Sequence, residues 1–199
     1  MQTPPTLPPS TSSSQNSFEQ HTIRWFEQVV LGLNLCPFAH KPARDNTIRF
    51  IVCDTHDEVM LLDAVLDEVE LLADVPAKKY ETTVMIVPYL LDDFYDYQFF
   101  LSEAERKLKQ RHWKGIFQLA SFHPNYCFAG TDPSDLSNFT NRSPYPIIHI
   151  LRQESLNAIL KEGATSEEIV ERNMDMMNKL SSEDRSMLFP PPLPINNKS

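Results

Sequence analysis

Glycine is scarce. The 199 residues hold four, at 32, 115, 130 and 163, and none stands closer than fifteen residues to the next. A P-loop and a dinucleotide-binding fingerprint each need glycines within a few residues of one another, so both are excluded. Basic residues are also few. Lys plus Arg is 18 against 27 for Asp plus Glu, a net charge of -9 that repels polyphosphate backbones and argues against nucleic acid as a partner. The three cysteines, Cys36, Cys53 and Cys127, form no C-x-x-C pair. Their odd number, with no secretory leader, reads as reduced thiols in the cytosol. No stretch approaches the roughly 20 apolar residues that cross a bilayer. Met1 to Ser17 has neither the basic start nor the apolar run of a signal peptide, so no membrane partner is expected.

What is present is a globular composition, 41% apolar and 23% charged, on a length that suits one core. Half of the 16 prolines lie near the ends, at 4, 5, 8 and 9 and at 190, 191, 192 and 194. Residues 1–17 and 185–199 are therefore expected as disordered tails around a single domain over 18–184.

Within that body, Ser17 and Gln20 read as a capping box, and Phe26, Val29, Val30 and Leu33 recur at helical spacing. A helix over 18–33 follows, ended by Asn34 and Pro37. Residues 47–53 suit a buried strand. Thr55 and Glu58 form a second capping box before a helix marked by Val59, Leu62, Val65, Leu66, Val69 and Leu72, which Pro76 stops. A strand over 82–87 precedes a helix expected to be capped by Asp92, with Lys107, Lys109 and Arg111 at its end to suit the dipole. Strands over 116–122 and 147–151 come next, then helices over 155–161 and 166–181, the latter from a capping box of Thr165 and Glu168. Strand, helix, strand, helix, strand predicts parallel neighbours joined by crossovers. The expected fold is α/β, with a small, mostly parallel four-stranded mixed sheet flanked by helices. A thioredoxin-like topology matches the element count and stays a minority option, although Cys53 lacks a partner cysteine and the proline-preceded strand is the fourth.

The chain spends Phe122 to Pro146 between its last two strands, and structureless loops beyond ~12–15 residues are usually functional or disordered. Five aromatics, Phe122, Tyr126, Phe128, Phe139 and Tyr145, argue that this one packs. In open α/β sheets ligands sit beyond the carboxyl ends of parallel strands. His123 follows the third strand, Asp54 and His56 the first, and Tyr89 the second. Arg142 and Ser143 stand over the same edge if the fourth strand runs antiparallel to the third. A guanidinium beside Ser143, Asn141 and Asn138 suits a carboxylate or phosphate. The alternative is that Arg142, Asn138 and Asn141 satisfy buried carbonyls of the loop, with His123 a brace. Cys36 follows a helix end, which raises a thiol pKa and favours a small buried hydrophobe over a nucleophile. As a metal ligand it would need His123, His149 or Asp132 nearby. His149 alternates with Ile147 and Leu151 inside a strand, as a half-buried core residue would.

Four strings resemble the bacterial domain of unknown function 1415. They are Gly32-Leu33-Asn34-Leu35-Cys36-Pro37-Phe38-Ala39, Ala120-Ser121-Phe122-His123-Pro124-Asn125-Tyr126, Asn141-Arg142-Ser143-Pro144-Tyr145-Pro146 with His149, and Glu171-Arg172-Asn173. The resemblance implies a soluble bacterial protein of this size and supplies no reaction, ligand or cofactor. Asn173, on the apolar stripe of the last helix with Ile169, Met176 and Leu180, either reaches the site or caps a buried carbonyl.

Charge is segregated. From Phe50 to Ala77 there are eight acids and no Lys or Arg, with Asp63, Asp67, Glu70 and Asp74 on one helix face, while Arg106 to Lys114 holds five basic residues. The basic segment could complement the acidic helix within the fold or in a second subunit. Two readings result. The first is a small cytosolic enzyme with a strand-end pocket, in which Arg142 and its neighbours Ser143, Asn141, Asn138, Asp54 and Tyr89 hold a small anionic molecule. His123 would be its general acid or base, oriented by Asp132. The second is a non-catalytic metal-handling or partner-binding protein that uses Cys36, His123 and the acidic helix over 57–74.

Overall fold

The computed structural model describes residues 13–161 and 165–189. Four strands, β1 (Ile48–Val52), β2 (Thr82–Ile86), β3 (Phe117–Phe122) and β4 (Ile147–Arg152), form one sheet in the order β1-β2-β4-β3. The helices are α1 (Ser13–Trp25), α2 (His40–Arg44), α3 (Glu58–Asp74), α4 (Phe94–Gln110), α5 (Gln153–Lys161), α6 (Ser166–Lys179) and α7 (Ser182–Leu188). A π-helical turn, Phe26–Leu31, continues α1, and a 3-10 turn, Leu136–Asn141, lies in the long loop.

The sheet is mixed, but only β1 and β2 pair in parallel. The expectation of a mostly parallel sheet is corrected for a definite reason. β1, β2 and β3 do point the same way, as their order with α3 and α4 implies. β4 inserts between β2 and β3 and replaces one parallel contact with two antiparallel ones. A thioredoxin-like core keeps its first strand inside the sheet. Here β1 lies at an edge, which removes that option.

Both faces of the sheet are covered. Leu61, Val65, Val69 and Leu72 of α3 and Tyr97, Phe100, Leu101 and Ala104 of α4 pack with Met85, Ile148 and Ile150 on one face. Trp25, Phe26, Val29 and Val30 pack with Met177 of α6, Val84 and Ile147 on the other. Glu68 is buried in α3 because Arg49 of β1 donates to it through Nε at 3.0 Å and Nη2 at 3.1 Å, and Thr83 of β2 donates its hydroxyl at 3.1 Å.

Two caps differ from expectation. Asp57, not Thr55, caps α3 and accepts from the Val59 and Met60 N–H groups at 2.8 and 3.0 Å. Asp93, not Asp92, caps α4 and accepts from Tyr95 and Asp96 at 2.8 and 3.1 Å. In each case the side chain one or two residues nearer the helix reaches its free N–H groups first. The Thr165–Glu168 capping box of α6 is present as expected. The first helix starts ahead of Ser17, and α7 carries ordered chain beyond 184. The rest of the expected tails, 1–12 and 190–199, lies outside the described residues.

At the end of the π-helical turn, a Cβ on Gly32 would stand 2.2 Å from the Gln28 carbonyl oxygen, so only glycine fits. Asn34 then takes the left-handed conformation at φ 53° that turns the chain toward α2.

Candidate functional site

The strand-end edge forms as the order of elements requires. β4 runs antiparallel to both neighbours, with Ile147 opposite Ile86 of β2 and Phe122 of β3. The chain leaving β1, β2 and β3 and the chain entering β4 therefore meet on one edge, and Asp54, His56, Tyr89, Tyr145 and His123 stand along it.

The long loop is tied to itself. Asn138 is fully buried; its Oδ1 accepts from Phe128 N–H at 2.9 Å and the Thr131 hydroxyl at 3.0 Å, and its Nδ2 donates to the Asp132 carbonyl at 2.8 Å. Asn141 donates to the Ser121 carbonyl at 3.0 Å, and Ser143 donates to the Tyr145 carbonyl at 2.5 Å. The Arg142 guanidinium lies 4.2 Å over the Phe139 ring and donates through Nη2 to the Pro133 carbonyl at 2.7 Å. Burial lowers its pKa.

His123 is fully buried against Phe94 and Tyr97, with ring centroids 5.3 and 5.1 Å away. Its Nδ1 accepts from Asn125 N–H at 3.0 Å, so Nε2 carries the proton and donates to the Leu91 carbonyl at 2.9 Å. Burial lowers its pKa against the opposing pull of the Leu91 carbonyl and of Asp93 and Asp92. The ring is thus a neutral brace with both nitrogens engaged. Asp132 does not orient it. That carboxylate is exposed and accepts from the Ser134 N–H at 2.8 Å and hydroxyl at 2.5 Å, contacts that lower its pKa.

The other half of the edge is closed by α1. Phe18 is 4% exposed and meets Tyr89 and Tyr145 edge-on at 5.7 and 5.1 Å. It occupies the crevice where a strand-end ligand was expected. Tyr89 stacks on His56 at 4.9 Å, while His21 Nδ1 shares a hydrogen bond with the Tyr145 hydroxyl at 2.9 Å. Burial and the Arg24 charge lower the pKa of His21. The sequence gives no sign of this His21–Tyr145 contact, because 124 residues separate its partners. Asp54 is exposed beyond β1.

Cys36 packs in the α1–α6 cluster, on the face of the sheet opposite His123. Burial raises its thiol pKa over the opposing pull of the Phe38 and Ala39 N–H groups and Arg172. The two residues considered as a metal pair therefore do not share a site. Among the described residues no group of three or more His, Cys, Asp or Glu is placed to hold a metal ion.

A half-open groove of about 570 Å³ lies elsewhere, between the second half of α4 and the start of β3. Leu108, Phe117 and Leu119 form its apolar part; Arg106, Lys109 and Lys114 line it beside one acid, Glu105. Arg106 is bound to Glu103 at 2.6 Å, whereas Lys109 and Lys114 make no ion pair among the described residues. The same basic segment does reach the acidic helix, through Arg111 to Glu70 at 2.7 Å. Sequence reasoning found the basic run but not the groove, which exists only because β3 lies at the sheet edge beside α4.

The segments 32–39 and 171–173 meet, as do 120–126 and 141–146. Arg172 donates to the Asn34 carbonyl at 2.6 Å and Asn173 to that of Leu35 at 2.7 Å, while Asn141 ties to Ser121. Asn173 is thus the cap of a buried carbonyl. A family model described as a protein of unknown function (DUF1415) matches residues 17–187. No curated protein and no solved structure matches the chain.

Proposed function

The chain belongs to the family of proteins of unknown function DUF1415, and from its geometry we propose that it is a binding protein whose ligand is anionic and lies in the groove between α4 and β3. The observation that carries this reading is the trio Arg106, Lys109 and Lys114 around an apolar floor, in a chain whose net charge is -9. Cations gathered at a concave, partly apolar surface attract anions more strongly than the same charges spread over a convex one. The small anionic molecule expected at Arg142 is better served here, because two Arg142 nitrogens already donate to the Tyr126 and Pro133 carbonyls and its face lies on the Phe139 ring. Catalysis is not part of the reading. No histidine or cysteine lines the groove, and the Ser102 hydroxyl donates to the Gln98 carbonyl. The three free thiols fit a reducing compartment, and the bacterial cytosol is the one we propose.

The test is a set of thermal melts with mono-, di- and tricarboxylates and with phosphate and pyrophosphate, each at low and high salt. A polyvalent anion should stabilise the protein at low salt, less so at high salt, and not at all after Lys109→Glu with Lys114→Glu. Equal stabilisation of the double variant would refute the reading.

One observation favours a second surface. α3 exposes Val59 (69%) and Met60 (63%) beside the carboxylates of Asp63 and Asp67, which would suit a basic, apolar partner. Loss of partner capture on Met60→Glu, with the groove variant still binding, would favour this surface instead.

A further inference from the structure

We propose that the anionic ligand of the α4–β3 groove is an extended acidic segment of another polypeptide, added as a strand to the free edge of β3. This rests on the binding reading above and names its partner class.

The argument starts from the ladder. β3 is an edge strand, and among the described residues β4 is the one strand that pairs with it. Gln153 N–H donates to the Ile116 carbonyl at 2.9 Å. Antiparallel partners exchange bonds at alternate residues, so 116, 118, 120 and 122 turn their backbone groups toward β4, and 117, 119 and 121 turn theirs outward. Some outward groups are already satisfied. Phe117 N–H donates to the Trp113 carbonyl at 3.0 Å, and the Ser121 carbonyl accepts from Asn141 Nδ2 at 3.0 Å. His123 N–H donates to the Asn141 carbonyl at 3.1 Å, so the 3-10 turn covers the edge past Ser121. An isolated parallel bridge to Lys114 takes up the outer side of Phe117, and among the described residues nothing bonds the Leu119 N–H and carbonyl or the Ser121 N–H. These three groups, on two successive outward-facing residues, present the repeat that an incoming strand requires.

The groove lies against this same stretch, since Phe117, Gln118 and Leu119 line it. Phe117 and Leu119 face α4. Alternate side chains of an added strand face α4 as well, over Arg106, Lys109 and Lys114, where carboxylates would meet cations. A free phosphate could satisfy the cations but would leave the backbone groups of Leu119 unused. A second copy of β3 would set the same cations against one another, and like charges facing across strands are destabilising. Charge and backbone together therefore select an acidic strand.

The probe is a capped peptide alternating Glu and Thr, with two controls: the same peptide with Lys for Glu, and the Glu peptide N-methylated on alternate amides. The last keeps the charge and blocks strand pairing. Binding is measured by calorimetry, and amide exchange by NMR on the full chain. The Glu peptide should bind and slow exchange at Leu119 and Ser121 by about tenfold or more. The Lys peptide should not bind, and N-methylation should weaken binding by about tenfold or more. Lys109→Glu with Lys114→Glu, verified as folded by its melt, should abolish it. Equal binding of the plain and N-methylated Glu peptides would overturn strand addition while leaving an anion-binding groove. No binding of the Glu peptide, with pyrophosphate or a tricarboxylate still stabilising the protein, would do the same. Unchanged binding in the double variant would overturn both readings.

Discussion

At the scale of single residues, the polar side chains of the long loop act on the backbone around them. Arg142 joins the ring of Phe139 to the carbonyl of Pro133, so it bridges two parts of the loop with one planar group. Arg142→Ala should lower stability by about 1 kcal/mol, because the exposed Pro133 carbonyl loses its donor and the Phe139 ring its cover. Arg142→Lys should recover only part of that loss, since a lysine cannot lie flat on the ring and donate sideways at once. Urea unfolding of the three proteins measures both. His149 makes a different prediction. Its Nε2 bonds the Thr82 hydroxyl at 2.7 Å in the sheet, and burial pushes its pKa down from 6.5 to about 4. The unfolded chain therefore takes up a proton that the folded chain refuses. Stability is complete above pH 6.5 and falls as the pH drops toward 4, by up to about 1.4 kcal/mol per pH unit from this residue. The lowered pKa values of His123 and His21 act in the same direction. Denaturant midpoints against pH should show a shallower slope in His149→Gln than in the wild type; identical slopes would refute the assignment.

At the scale of elements, caps and strand order decide where side chains point. Asp93 caps α4, although Asp92 occupies an equally plausible place in the sequence. Asp93→Ala should cost about 1 kcal/mol, whereas Asp92→Ala should stay within about 0.5 kcal/mol of wild type. Parallel melts of the two variants check this, and the reverse order would mean that the helix starts one residue earlier. The cap matters beyond α4, because Phe94 and Tyr97 form the wall against which His123 packs. Tyr97 also donates its hydroxyl to the Ile147 carbonyl at 2.6 Å and accepts from Phe122 N–H at 3.0 Å, pinning β3 and β4 together at the strand ends. One helix thus holds the loop at its start and lines the groove at its end.

At the scale of the whole molecule, charge and topology divide the surface. Acids collect on α3, and bases collect where α4 turns into β3. Among the described residues one ion pair, Arg111 with Glu70, joins the two, and Lys109 and Lys114 make none. The strand-end edge, the usual ligand position in such sheets, is occupied by Phe18 and by the self-bonded loop. A groove lies instead at the side of the sheet. That displacement follows from β4 entering the middle and leaving β3 at the edge.

The sequence alone determined those features that depend on neighbours along the chain. The four strands came from β-branched runs, and α3 and α4 from apolar residues at helical spacing. The capping box of α6 and the left-handed Asn34 came from side-chain chemistry within a few residues. The order of elements also carries Asp54, Tyr89 and His123 to one edge, because β1, β2 and β3 run the same way. The short pieces, α2 and the π-helical and 3-10 turns, carry too few periodic residues to be legible. Only the tertiary structure decided how the polar groups are used. Whether His123 or Arg142 is free depends on which carbonyls fold against them. Whether β3 is inside or outside depends on β4 choosing between two available edges. Those outcomes are set by packing between residues far apart in sequence, and no local pattern encodes them.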